Sequence, residues 1–178
     1  MRNFLDLAIT AALLSLVFAA YLVRYVLSKP EGTERMATIS RLIQQGARAF
    51  LFREYAYVGP VVVIIAIIFT VIGWVRPDIG LGWKTAAAFV TGAVASLLAG
   101  YVGMMIATRS NARTAHAAST GGVKAALDVA ISGGGVMGMS VVGISLFGLV
   151  VTYKIFQGDP VIVNGYAMGA SLLALFAR

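Results

Sequence analysis

Five apolar runs, each about the length of a membrane-crossing helix, limit what this chain can become. An α-helix rises 1.5 Å per residue, so about 20 apolar residues match a hydrocarbon core of about 30 Å. The runs fall near 4–27, 57–75, 84–107, 127–152 and 160–178, and in the first only Asp6 and Arg24 break the apolar character. That run is too long for the apolar stretch of a signal peptide, and Arg24-Tyr25 stands where small cleavage-site residues would be needed. Charged residues make up 12% of the chain, where soluble domains carry roughly 25%. The pattern predicts an all-α, polytopic transmembrane helical bundle of about five spans.

Between the runs the pattern changes. Over 34–53, Met36, Ile39, Ile43, Ala47, Phe50 and Leu51 recur at helical spacing, while Arg35, Arg41, Gln44, Gln45 and Arg48 take other positions. This predicts an amphipathic helix at the membrane surface, ended by Arg53 and Glu54. Pro30 and Gly32 should stop the first span, and Trp74 and Trp83 bracket the loop 75–82 as an aromatic belt would. Thr108 to Val123 reads as a polar loop or a helix extension, and Lys154, Gly158, Asp159 and Pro160 as a short turn. Arg24, Lys29, Arg35, Arg41, Arg48, Arg53, Arg109, Arg113 and Lys124 gather on one side of the alternating spans. Only Arg2, Arg76, Lys84 and Lys154 fall on the other. The positive-inside rule then places the N-terminus on the non-cytoplasmic side and the 34–53 helix in the cytoplasm.

Several classes of chemistry are excluded. The chain has no cysteine, so thiolate and disulfide chemistry is absent, and its single histidine, His116, makes neither a dyad nor a histidine metal site. The net charge of +7 serves topology here and does not imply nucleic acid. Gly133-Gly134-Gly135-Val136-Met137-Gly138 matches G-x-G-x-x-G but lies inside an apolar helix, without the βαβ context of a dinucleotide site. Gly134 with Gly138, and Gly165 with Gly169, read as helix-packing pairs, as does the seam of Gly92, Ser96, Gly100 and Gly103. Arg109 and Arg113 share a helix face that suits phosphate, although a charge excess that fixes topology explains them as well. Asp6 and Asp128 read as interfacial charges, and His116 as a solvated loop residue. None of the seven acidic residues pairs with another at helical spacing inside a span, so no hydrolytic or magnesium centre can be assembled from them.

The last run sorts by side-chain size. Ala167, Ser171, Ala174 and Arg178 fall on one stripe, with Ala170 and Ala177 flanking it and Leu172, Leu173, Leu175, Phe176 and Met168 on the other side. Such a stripe allows another helix to approach closely. Arg178 at its end either points into that contact or snorkels to a headgroup region.

Four stretches together resemble the membrane-integral pyrophosphatases. Pro30-Glu31-Gly32-Thr33-Glu34-Arg35-Met36, followed by Gly46-Ala47-Arg48-Ala49-Phe50-Leu51-Phe52-Arg53-Glu54-Tyr55, resembles that family's first cytoplasmic loop. Gly103-Met104 with Ala107-Thr108-Arg109-Ser110-Asn111-Ala112-Arg113-Thr114 is similar to the end of its third helix. Ser132-Gly133-Gly134-Gly135-Val136-Met137-Gly138-Met139 is similar to a run in its fourth, and Gly165-Tyr166 through Gly169-Ala170-Ser171 to Arg178 to its fifth. Ala167 and Leu172 depart from the fifth-helix pattern, which has Gly and Ser there.

The resemblance implies a pump that couples hydrolysis of Mg-pyrophosphate to transport of protons or sodium ions. It implies an integral membrane homodimer in the lipid bilayer, of which this chain is the N-terminal portion of a larger bundle. Arg178 would stand at the ion gate, with Ala167, Gly169, Ser171 and Ala174 packing near it. Mg2+ would be bound by residues beyond this chain, and K+ is a further cofactor the resemblance allows. The chain alone, without catalytic, cofactor or metal residues, is expected to be inactive. Two other classes fit the residues: a non-catalytic accessory membrane protein, and a small transporter, for which only the break at Gly133 to Gly135 speaks.

Overall fold

The apolar runs become helices because no other element satisfies backbone N–H and C=O groups without water, apart from a closed barrel. The computed structural model describes residues 2–177, with side chains described over 3–175. In chain order it contains α1 (Arg2–Leu27), α2 (Glu34–Val75), a 3-10 turn (Pro77–Ile79), α3 (Trp83–Ile155) and α4 (Pro160–Ala177). No strand occurs among the described residues. The fold is an all-α membrane helical bundle. By length and composition α1, α2 and α3 can each cross a membrane, and α4 holds a shorter apolar stretch over Pro160–Leu175.

α3 is a hairpin. Gly122 (φ 71, ψ −166) interrupts the helical backbone, a left-handed conformation that glycine adopts without a Cβ penalty. Beyond it the chain runs back along itself. A Cβ on Gly103 would meet Met137, and one on Gly133 would meet Ser110, so the two arms, 83–121 and 123–155, are antiparallel. The first arm continues through Gly100 and through 108–121, so this stretch is a helix extension and not a loop. At 1.5 Å per residue that arm is about 60 Å long, roughly twice a hydrocarbon core.

α2 corrects the expected boundary at Arg53 and Glu54: one unbroken helix runs from Glu34 to Val75. Thr33 caps its start, its hydroxyl accepting from the Met36 N–H at 3.4 Å. The change from amphipathic to apolar at residue 54 alters what the helix faces, while Arg, Glu and Tyr all continue a helical backbone readily. Pro60 is accommodated inside it.

α3 lies at the centre. α1, α2 and α4 each pack on it, α2 also meets α4, and among the described residues α1 and α2 do not touch. α1 runs antiparallel to the second arm: the Ser15 hydroxyl donates to the Met139 carbonyl at 2.9 Å, and a Cβ on Gly143 would meet Leu16 and the Ala12 carbonyl. Leu22 and Val26 close a cluster with Ile106 and Val136. On the other flank Val58 and Val62 of α2 pack with Phe89, Ala93 and Leu173. The buried surfaces are rich in small residues such as Ala88, Ala93, Ala99 and Ser96, whereas Phe4, Val17, Ile64, Ile67 and Trp74 lie exposed. That distribution suits a chain whose surroundings are lipid or further helices.

Candidate functional site

The connection 28–33 and the extended first arm of α3 meet at one end of the bundle, and Arg113 binds them together. Its side chain is 9% exposed and its nitrogens have separate acceptors. Nε donates to the Lys29 carbonyl at 3.0 Å and Nη1 to the Arg109 carbonyl at 2.7 Å. Nη2 pairs with the Glu31 carboxylate at 3.0 Å. Charge-assisted bonds of this kind are the strong ones, and the planar guanidinium suits several acceptors at once. Beside them Gly32 takes φ +88, and a Cβ there would collide with Met36 and approach His116 at 3.0 Å. His116 is therefore helical and half-buried against the connection, not a solvated loop residue. Arg113 is engaged by these three acceptors. The spacing of Arg109 and Arg113 carried no sign of this, because the acceptors on Lys29 and Glu31 come from a distant part of the chain.

The α3–α4 contact is built on glycine from both sides. A Cβ on Gly169 would overlap the Phe89 carbonyl, and one on Gly92 the Tyr166 carbonyl. A Cβ on Gly165 would stand 2.8 Å from the Thr85 methyl. Tyr166, 2% exposed, donates its hydroxyl to the Ser145 carbonyl at 3.0 Å, tying α4 to the second arm of α3. Of the two predicted glycine pairs, Gly165 with Gly169 is packed in this way. Gly134 and Gly138 face open space, and their neighbours Gly133 and Gly135 make the contacts instead.

α4 thus presents Ile162, Gly165, Tyr166, Gly169 and Leu173 to the rest of the chain. Of the predicted stripe, Ala167 and Ser171 are exposed and Ala174 is half-buried, on a face that nothing among the described residues covers. Arg178, the predicted gate residue, lies outside the described residues.

The acidic residues are dispersed. Glu31 is held by Arg113, Asp6 by Lys154 at 3.4 Å and Asp78 by Arg76 at 3.1 Å. The Arg76 guanidinium holds the exposed Asp78 carboxyl below its ordinary value. Asp159 caps α4, accepting from the Val161 N–H at 2.9 Å. Both Glu54 oxygens are shut from solvent with no hydrogen-bond partner among the described residues, which its position at the amphipathic-to-apolar change did not foretell. No group of three or more metal-ligating side chains forms among the described residues. These residues do not fit a magnesium site, since a hard divalent cation needs oxygens gathered on one wall.

Residues 13–178 match the family model for the inorganic H+ pyrophosphatase. The chain belongs to that pyrophosphatase family. Over its whole length it is 43% identical to a putative K+-stimulated pyrophosphate-energized sodium pump of Clostridium tetani, and 40% identical to a K+-insensitive pyrophosphate-energized proton pump of Methanosarcina mazei. A K+-stimulated pyrophosphate-energized sodium pump of Thermotoga maritima is 42% identical over 93% of the chain. In each case the chain spans 25% of the relative's length. The chain therefore spans about a quarter of the length of these pyrophosphatase-family relatives.

Proposed function

We propose that this chain contributes the first helices of a pyrophosphate-energised ion pump, with hydrolysis carried out by residues outside it. The match to the family over 13–178 carries this reading, together with relatives named as pumps at about 40% identity across the chain. Five crossings are assigned near 4–27, 57–75, 84–107, 127–152 and 160–178. The N-terminus lies on the non-cytoplasmic side, as the basic residues favour. The 34–53 part of α2, the Arg113 contacts and the Gly122 turn then stand on the cytoplasmic side. Pyrophosphate, the pumped proton or sodium ion, and Mg2+ engage the rest of the pump, which works as a homodimer, and K+ stimulation is a property that such a pump can have or lack.

Within that reading the open face of α4 meets further helices, and Arg178 lines the ion path. An arginine keeps its proton at any physiological pH, so it acts there as a fixed charge and not as the proton carrier. A buried guanidinium needs an acid partner.

The test uses the full-length protein in sealed membrane vesicles, measuring pyrophosphate-driven ion uptake and phosphate release together. Arg178→Ala should lower uptake by roughly tenfold or more, the scale of losing about 1.4 kcal/mol at the transport barrier. Arg178→Lys should recover only part of it, because lysine lacks the planar fork. The 178-residue chain alone should release no phosphate. Normal uptake by the alanine variant overturns the role of Arg178; magnesium-dependent phosphate release by the 178-residue chain overturns the assignment of hydrolysis elsewhere.

A further inference from the structure

At the end of the bundle opposite Arg113, the loop 76–82 and the turn before α4 enclose an open cavity of about 970 Å³. Its lining includes Trp83, Lys84, Thr85, Ile155 and Asp159. Most charges at this end are already neutralised, Arg76 by Asp78 and Lys154 by Asp6. Lys84 and Asp159 are different. Both line the cavity, yet among the described residues neither forms an ion pair with the other or with any other side chain. The cavity therefore holds two opposite charges that do not satisfy each other.

Two more features point to the ligand. α3 begins here with Gly82 at its N-cap and no side-chain cap, so the N–H groups of its first turn are left for an acceptor and favour negative charge. In that turn Thr85 is 2% exposed, and its hydroxyl is buried with no hydrogen-bond partner among the described residues. A buried hydroxyl without a partner costs about 1–3 kcal/mol, so a site that supplies one is favoured. The cation, the uncapped helix start and the orphan hydroxyl lie together in Lys84, Thr85 and the backbone between them, with the anion of Asp159 across the cavity.

We infer that this cavity binds the phosphoethanolamine headgroup of a membrane phospholipid. The phosphate would sit against Lys84, the α3 N-terminus and the Thr85 hydroxyl, and the ammonium would face Asp159. The rim supports a lipid over free phosphate. Trp83 is 65% exposed and Ile155 66% exposed beside the polar floor, an apolar lip at headgroup depth where acyl chains would leave.

The test is retention of lipid by the full-length protein, purified from mixed phosphatidylethanolamine and phosphatidylglycerol micelles and read by native mass spectrometry. The wild type should retain phosphatidylethanolamine in preference. Lys84→Gln should lower retention by roughly tenfold or more, the worth of one charged hydrogen bond. Thr85→Val keeps the methyl that packs on Gly165 and removes only the hydroxyl, and should lower retention about fivefold. Asp159→Asn keeps an N-cap for α4 and should abolish the preference for phosphatidylethanolamine while leaving total lipid retention near that of the wild type. Equal retention by all four proteins overturns the inference. So does displacement of the lipid by millimolar inorganic phosphate, which would make this a free-anion site.

Discussion

Arg113 shows how one side chain fixes the geometry of a whole connection. Its three bonds reach two carbonyls and one carboxylate, so neither a shorter cation nor a neutral donor reproduces them. Arg113→Ala should therefore free residues 28–33 for cleavage by an added protease, raising the initial rate roughly tenfold, the effect of about 1.4 kcal/mol on local opening. Arg113→Lys should behave almost as badly, because a single ammonium cannot take up the fork. Unchanged cleavage in both variants would show that the connection is held by something else. Nothing near Arg113 in sequence signals these partners: Glu31 and Lys29 lie on the far side of a whole helix in chain order, and only the folded hairpin brings them close.

At the scale of elements, the two glycine pairs give opposite expectations. Gly169→Ala drives a methyl into the Phe89 backbone, and should destabilise the full-length protein by about 1–3 kcal/mol in a reversible denaturation assay. Gly138→Ala meets nothing within 4 Å, and should be neutral or stabilising by about 0.5–1 kcal/mol through helix propensity. Equal losses at both positions would contradict the α3–α4 contact described here. Both pairs have the same spacing, so sequence could nominate glycine seams without saying which glycine meets a neighbour. Helix existence was far more legible, because length and apolarity set it directly. Boundaries were less so: the polar-to-apolar change at Glu54 looked like an end but leaves the backbone of α2 intact. The true break at Gly122 carried only the Gly121-Gly122 doublet as a mark.

Across the whole molecule, α4 is buried on one face and open on the other. Its inner face is buried on α3, while Ala167 and Ser171 are exposed, as Val17 on α1 is. If α4 lies inside a larger bundle, Ser171→Cys in the full-length protein should react with a lipid-soluble maleimide much more slowly than Val17→Cys. Equal rates would place α4 at the lipid boundary and remove the basis for an ion path along it. The family could be read from four motifs, but the open face could not, since exposure depends on which helices surround α4 and not on its own residues. The central position of α3 also bears on how the protein is made. α1 and α2 do not touch among the described residues, and each packs on α3, which a ribosome delivers only after both. The two earlier helices must enter the bilayer as solitary guests and persist there unaided, and their apolar windows are indeed at least as lipid-compatible as that of α3. Assembly then has one decisive moment: the arrival of the hairpin closes both flanks at once, so a nascent chain stalled before it would carry two inserted helices and no tertiary structure.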